Sequence, residues 1–161
     1  VTDALQGLRG GPMAVAVAVD RALAACEALA ALHGRHEQAS VEDPAWQAPE
    51  RMRAGRGDAR ADVWAVGAAL YTAIEGAPPF RADDPRELRL AIATEPPVPM
   101  SRPVPDAVQA AVLRCLDKPV ERRFQTVAEL AFALMPFASA PGEARAIVER
   151  CAVALGRPSR G

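Results

Sequence analysis

One stretch constrains the fold more than any other: "ADVWAVGAALYTAIEG", residues 61–76. Ala and Leu favour helix, and Gly76 with the Pro78-Pro79 pair supplies a stop. A helix over 61–75 would be apolar on nearly every side, and such a helix is buried by its neighbours. The rest of the chain must therefore wrap around it.

The flanking segments are helical too. In "MAVAVAVDRALAACEALAALHG" the alternating "AVAVAV" suits a strand, but Val15, Val19, Ala22, Cys26 and Leu29 fall at helical steps, and length favours one helix over 13–33. A short helix from about Thr2 precedes it, ended by Gly10 and Gly11, with Pro12 suited to the next first turn. Residues 35–47 are polar and aperiodic, a loop. Further helices are expected at 48–53, 84–94 (amphipathic through Leu88 and Ile92), 105–116, 126–135 and 142–155. "EPPVPMSRPVP" should run extended over a surface, and the tail "GRPSRG" should fray. With no repeat or convincing strand, the expected class is all-α, about seven helices around a buried central helix at 61–75.

At 161 residues the chain fits one domain, and its 50% hydrophobic content is rich in Ala, so the core is built from small side chains. A net charge of -1 leaves no basic footprint for nucleic acid or a membrane surface. Cys26, Cys115 and Cys151 are odd in number, far apart and in apolar helical contexts, which reads as buried free thiols in a reducing compartment rather than a disulfide or metal set. "PMAVAVAV" is too short to span a bilayer, and no secretory signal is visible, so a cytoplasmic location is expected.

Several ordered blocks then carry a resemblance. Ala48-Pro49-Glu50 is followed by "DVWAVGAALYTAIEGAPPF", with Asp62, Trp64 and Gly67, and then by "LRCLDKPVERRFQTVAEL", with Arg123. In order and spacing, residues 44–134 resemble the C-terminal lobe of bacterial Ser/Thr protein kinases, whose APE motif, central helix and late arginine fall on these positions. Residues 1–34 resemble the two helices before that family's catalytic loop. The expected organisation is a kinase-like C-lobe remnant over 1–135 and an extension helix and tail over 136–161.

The resemblance breaks at one place. In the family, a helix ending like "ALHG" leads into an H-R-D loop with the catalytic Asp and Asn, then D-F-G and the activation loop. Here thirteen residues, Arg35 to Gln47, stand in their place. His36 is followed by Glu37, and none of the four Phe residues follows an Asp. "GLRGG" lacks the spacing of a phosphate loop, and Lys118, the only lysine, comes too late to be the nucleotide lysine. Glu42 and Asp43 replace the Gly-Thr usual before the APE block, which unsettles peptide recognition. No catalytic, cofactor-binding or metal residues are therefore assigned, and the family's ATP and Mg are not expected to bind.

The remaining residues have bland readings beside sharp ones. The resemblance implies a Glu50–Arg123 ion pair; the alternative is two solvated charges. Asp62, which supports the catalytic loop in the family, is expected to N-cap the central helix. Trp64 and Tyr71 read as core, each needing a polar partner. His33 and His36, three apart, read as solvated rather than metal-binding. Ser40 reads as an ordinary loop serine, and Asp83, Asp84, Arg86, Glu87 and Arg89 as a solvated face, with docking the sharper alternative.

Two functions follow, beside a third reading in which the resemblance is only ancestral and the helical bundle has a new function. One is a degenerate, pseudokinase-like remnant with no phosphotransfer of its own, serving protein interaction. The other is part of a Ser/Thr kinase whose missing elements come from another chain or were lost in gene prediction. Loss of the catalytic loop and N-lobe would uncover apolar faces. Either a partner chain or a second copy covers them, or helix 13–33 collapses onto helix 61–75, or the domain is marginal.

Overall fold

The computed structural model describes residues 5–37 and 39–156. The expected helix start at Thr2 and the tail beyond 156 lie outside the described residues. Seven complete α-helices lie within them: α1 (Val15–Gly34), α2 (Pro49–Ala54), α3 (Ala59–Glu75), α4 (Pro85–Thr94), α5 (Asp106–Cys115), α6 (Val127–Leu134) and α7 (Pro141–Ala154). Short 3-10 turns stand at Pro44–Trp46, Val120–Arg122 and Met135–Phe137, and no strand occurs among the described residues.

The centre is α3, in which every residue from Ala61 to Tyr71 is buried. Asp58 caps its start by accepting from the Arg60 amide, and Gly76, at φ 80°, ends it in the left-handed region open to glycine. Around it pack α1, α5 and α6. Gly67 allows α5 to come close: a Cβ there would overlap Cβ of Cys115. The proline-rich connector is pinned over the end of α3. Tyr71 donates to the Val98 carbonyl at 2.8 Å, and Glu75 accepts from the amides of Ser101 and Arg102 at 3.0 and 2.9 Å.

The last helix, α7, lies along α1 and runs in the same direction. Asp20 accepts from Ser139 at its start, Glu27 takes Arg150 further along, and Gly34 meets the Ala154 carbonyl at the end. Ala144, Ile147 and Cys151 of α7 are buried in this seam. Burial pushes all three thiols up: Cys26 well above its usual value, Cys115 to about 12 and Cys151 to about 11. No helix among the described residues is long and apolar enough to cross a membrane.

Candidate functional site

The candidate site lies where α1, α2 and α3 meet. Because α3 begins at Ala59 rather than 61, Asp62 stands a full turn inside the helix, facing inward and 1% exposed. It is not the N-cap; Asp58 is, which corrects the expectation for Asp62. Asp62 Oδ2 lies 2.8 Å from His33 Nε2, and Arg51 Nη1 donates to Oδ1 at 3.1 Å. Three helices thus converge on one buried carboxylate: α1 brings His33, α2 brings Arg51 and α3 brings Asp62.

The His33 side chain is correspondingly only 8% exposed, packed inward rather than solvated. The reason is periodic: the apolar stripe Val15, Val19, Ala22, Cys26, Leu29 extends one step of four to His33, so the imidazole faces α3. That signal was present in the sequence. Nothing comparable pointed to Arg51. His33 Nδ1 and Arg51 Nη2 are buried without a hydrogen-bond partner among the described residues. His36 takes a different course. It sits at φ 59° where the chain leaves α1, its amide bonded to the His33 carbonyl at 3.0 Å. No cluster of three or more His, Cys, Asp or Glu suited to a metal occurs among the described residues.

The retained loop packs rather than dangles. Trp46, on the Pro44–Trp46 turn, is 3% exposed and donates from Nε1 to Thr72 Oγ1 of α3 at 3.1 Å. Arg9 lies over its ring at 5.0 Å and pairs with Asp43 at 3.1 Å. Asp43 caps the turn through the Ala45 amide, and Gln47 donates to the Val41 carbonyl. The hollow beside this turn, bordered by Arg9, Ser40, Val41 and Trp46, holds about 10 Å³. Small-molecule sites are typically about 300–1,000 Å³.

On the other side of α2 the Glu50–Arg123 pair forms. Ala48 and Pro49 are buried at the start of α2, Ala48 as its N-cap. Glu50, in the first turn, meets Arg123 in a two-pronged contact of 2.7 and 3.0 Å. The arginine side chain is fully buried, and its remaining donors go to the carbonyls of Asp117, Arg60 and Lys118. Its guanidinium also lies 4.8 Å from the Trp64 ring centre. Trp64 stacks on Phe80, rings 5.7 Å apart and 8° from parallel. Its indole N–H, expected to need a partner, has none among the described residues. Gly67, one turn on, faces α5 as described above.

The comparisons with known proteins agree with this architecture. A family model described as protein tyrosine and serine/threonine kinase matches residues 19–132. The DNA damage-responsive serine/threonine-protein kinase RqkA of Deinococcus radiodurans is 41% identical over 91 residues, covering 55% of this chain and 14% of that protein. The serine/threonine-protein kinase PknB of Mycolicibacterium smegmatis is 40% identical over 85 residues, 51% of this chain and 14% of that protein. PknB of Mycobacterium tuberculosis is 38% identical over the same length, with the same coverage of 51% and 14%. The chain therefore spans about one seventh of the length of the curated relatives it matches.

Proposed function

The chain belongs to the protein tyrosine and serine/threonine kinase family, and from that premise we propose that it is a C-lobe remnant with no phosphotransfer of its own, serving as a protein-interaction module. One observation carries the reading: Asp62, whose counterpart in the family supports the catalytic loop, is here committed to His33 and Arg51. Phosphoryl transfer depends on positioned metal and charge. The segment that would supply them is replaced by Arg35 to Gln47, and that segment is packed onto α3 through Trp46. A catalytic segment delivered from another chain would have to displace a buried tryptophan and a buried ion pair. ATP and Mg have no assigned residues in this reading.

For interaction, α4 is the surface best suited. It buries only Ala91 and Ile92 and turns Arg86, Glu87, Arg89 and Leu90 outward. Leu90 is 61% exposed.

The test is thermal unfolding followed by far-UV circular dichroism, with and without Mg-ATP. A cooperative melt that nucleotide leaves in place is expected. A specific rise with Mg-ATP overturns the proposal, because a ligand that binds only the native state must stabilise it.

A further inference from the structure

The proline-rich connector between α4 and α5, residues 95–105, is left with little backbone freedom by its sequence. Pro96, Pro97 and Pro99 have φ fixed near about −65°, and Glu95, Pro96 and Val98 each precede a proline, which drives them to extended conformations. Glu95 accordingly sits at φ −93° and ψ 152°, and Pro105, at the far end, at φ −54° and ψ 136°. The chain bends at Glu95 and at Arg102 and carries no helix, turn or bend between them. The conformation these constraints dictate is polyproline II, with about three residues per turn.

That period sorts the side chains. Pro97 and Met100 are half-buried, and Met100 packs on the core. Pro96, Pro99 and Arg102, each three residues from the next, are exposed and form an outward ridge. Hydrogen bonds to the body of the domain hold the run in place. The Val98 amide donates to the Pro79 carbonyl at 2.9 Å, and the Val98 carbonyl accepts from Tyr71 at 2.8 Å. The Ser101 and Arg102 amides donate to Glu75. Among the described residues, the carbonyls of Pro96, Pro97 and Pro99 accept from no backbone amide, and Arg102 forms no ion pair.

We propose that this ridge is the ligand of a partner domain that reads polyproline II. The partner is a shallow groove lined with aromatic rings, which take Pro96 and Pro99, with a carboxylate at its end for Arg102. Such grooves gain from a segment whose conformation is already set, because little ordering entropy is lost on binding. Here the prolines set the backbone, and Tyr71 and Glu75 of α3 set its position. What faces outward is what such a groove recognises: proline rings, carbonyl acceptors and a cation without a counter-ion. The proposal rests on the reading of the chain as an interaction module and names the chemistry of its partner.

The experiment titrates the full chain with a panel of purified SH3 and WW domains, followed by isothermal calorimetry. At least one domain should bind with a dissociation constant below about 1 mM. Pro96→Ala combined with Pro99→Ala should weaken that binding roughly tenfold or more, and so should Arg102→Glu, while the far-UV melt stays cooperative. Leu90→Ala, on α4, should leave binding unchanged. A panel in which nothing binds tighter than about 1 mM overturns the proposal, as do proline variants that bind like the wild type. Loss confined to Leu90→Ala also overturns it, by placing the partner on α4. No nucleotide enters this assay. A melt raised by Mg-ATP therefore overturns the function proposed above and not this inference, and a flat titration overturns this inference alone.

Discussion

Replacing Glu50 by Ala is the sharpest perturbation of the fold. Arg123 is 0% exposed and Glu50 23% exposed. Without the carboxylate, the guanidinium keeps its bonds to the carbonyls of Asp117, Arg60 and Lys118 but loses its ion-pair partner. Breaking a buried pair from one side costs about 3–5 kcal/mol. Glu50 reaches solvent, so water can enter its vacated space, which places the expected cost near the lower end, about 3 kcal/mol. For a domain of this size that lowers Tm by about 6–12 °C. Urea denaturation followed by circular dichroism should show the midpoint fall with the slope unchanged. Adding Arg123→Met to Glu50→Ala should recover part of the loss, since the double variant leaves no unpaired buried charge. A cost under about 1 kcal/mol, the range of exposed pairs, refutes the argument.

Other perturbations probe separate features. Trp46→Ala should cost about 3–5 kcal/mol in the same urea assay, because it empties a buried aromatic site and removes the donor to Thr72 Oγ1, which keeps only its bond to the Ala68 carbonyl. Gly67→Ala should cost about 1–3 kcal/mol, and Cys115→Ala should not rescue it, because the overlap is with the Cβ that alanine retains. Native Cys26, Cys115 and Cys151 should resist an aromatic disulfide reagent and react only on unfolding, since all three are buried and held as thiols. Lys118 gives a pH signature. Its folded value of about 8 lies below its unfolded value, so between about 8 and 10.4 the unfolded chain holds more protons and stability rises with pH. The buried thiols act oppositely as pH climbs, so the measurement is the difference between wild type and Lys118→Met. That difference should grow by about 1 kcal/mol over this window after allowing for solvent screening of a half-exposed group.

Much of this was legible in the sequence, for physical reasons. The all-round apolarity of 61–75 forced a central helix, and the structure places α3 there with its start two residues earlier. Glycine and proline punctuation bounded the other helices to within a residue or two. What stayed hidden was the polar network. Asp62 reads as a cap for a helix beginning near 61, whereas the helix starts at Ala59 with Asp58 as its cap. His33 looked solvated because it adjoins a polar loop, although the apolar stripe of α1 leads to it. Arg51 and Lys118 depend on tertiary approach across 11 and 38 residues of chain, to Asp62 and Phe80, which no local pattern encodes.

The junction between α1 and α2 shows how this part of the lobe closes. Three features must be accommodated there: a buried carboxylate on α3, the apolar face of α3, and a chain that must turn back from the end of α1. Each is met by residues in or beside the loop. His33 and Arg51 take the carboxylate. Trp46 covers the face and engages Thr72. The turn is made at once: the amides of Arg35, His36 and Glu37 bond back to the carbonyls of Leu32, His33 and Leu32, with His36 in the left-handed region. Within the chain, α1 also packs on α3. Without His33 and Arg51, Asp62 would be an unpaired buried charge, whose desolvation alone costs several kcal/mol, comparable with the whole stability of a domain.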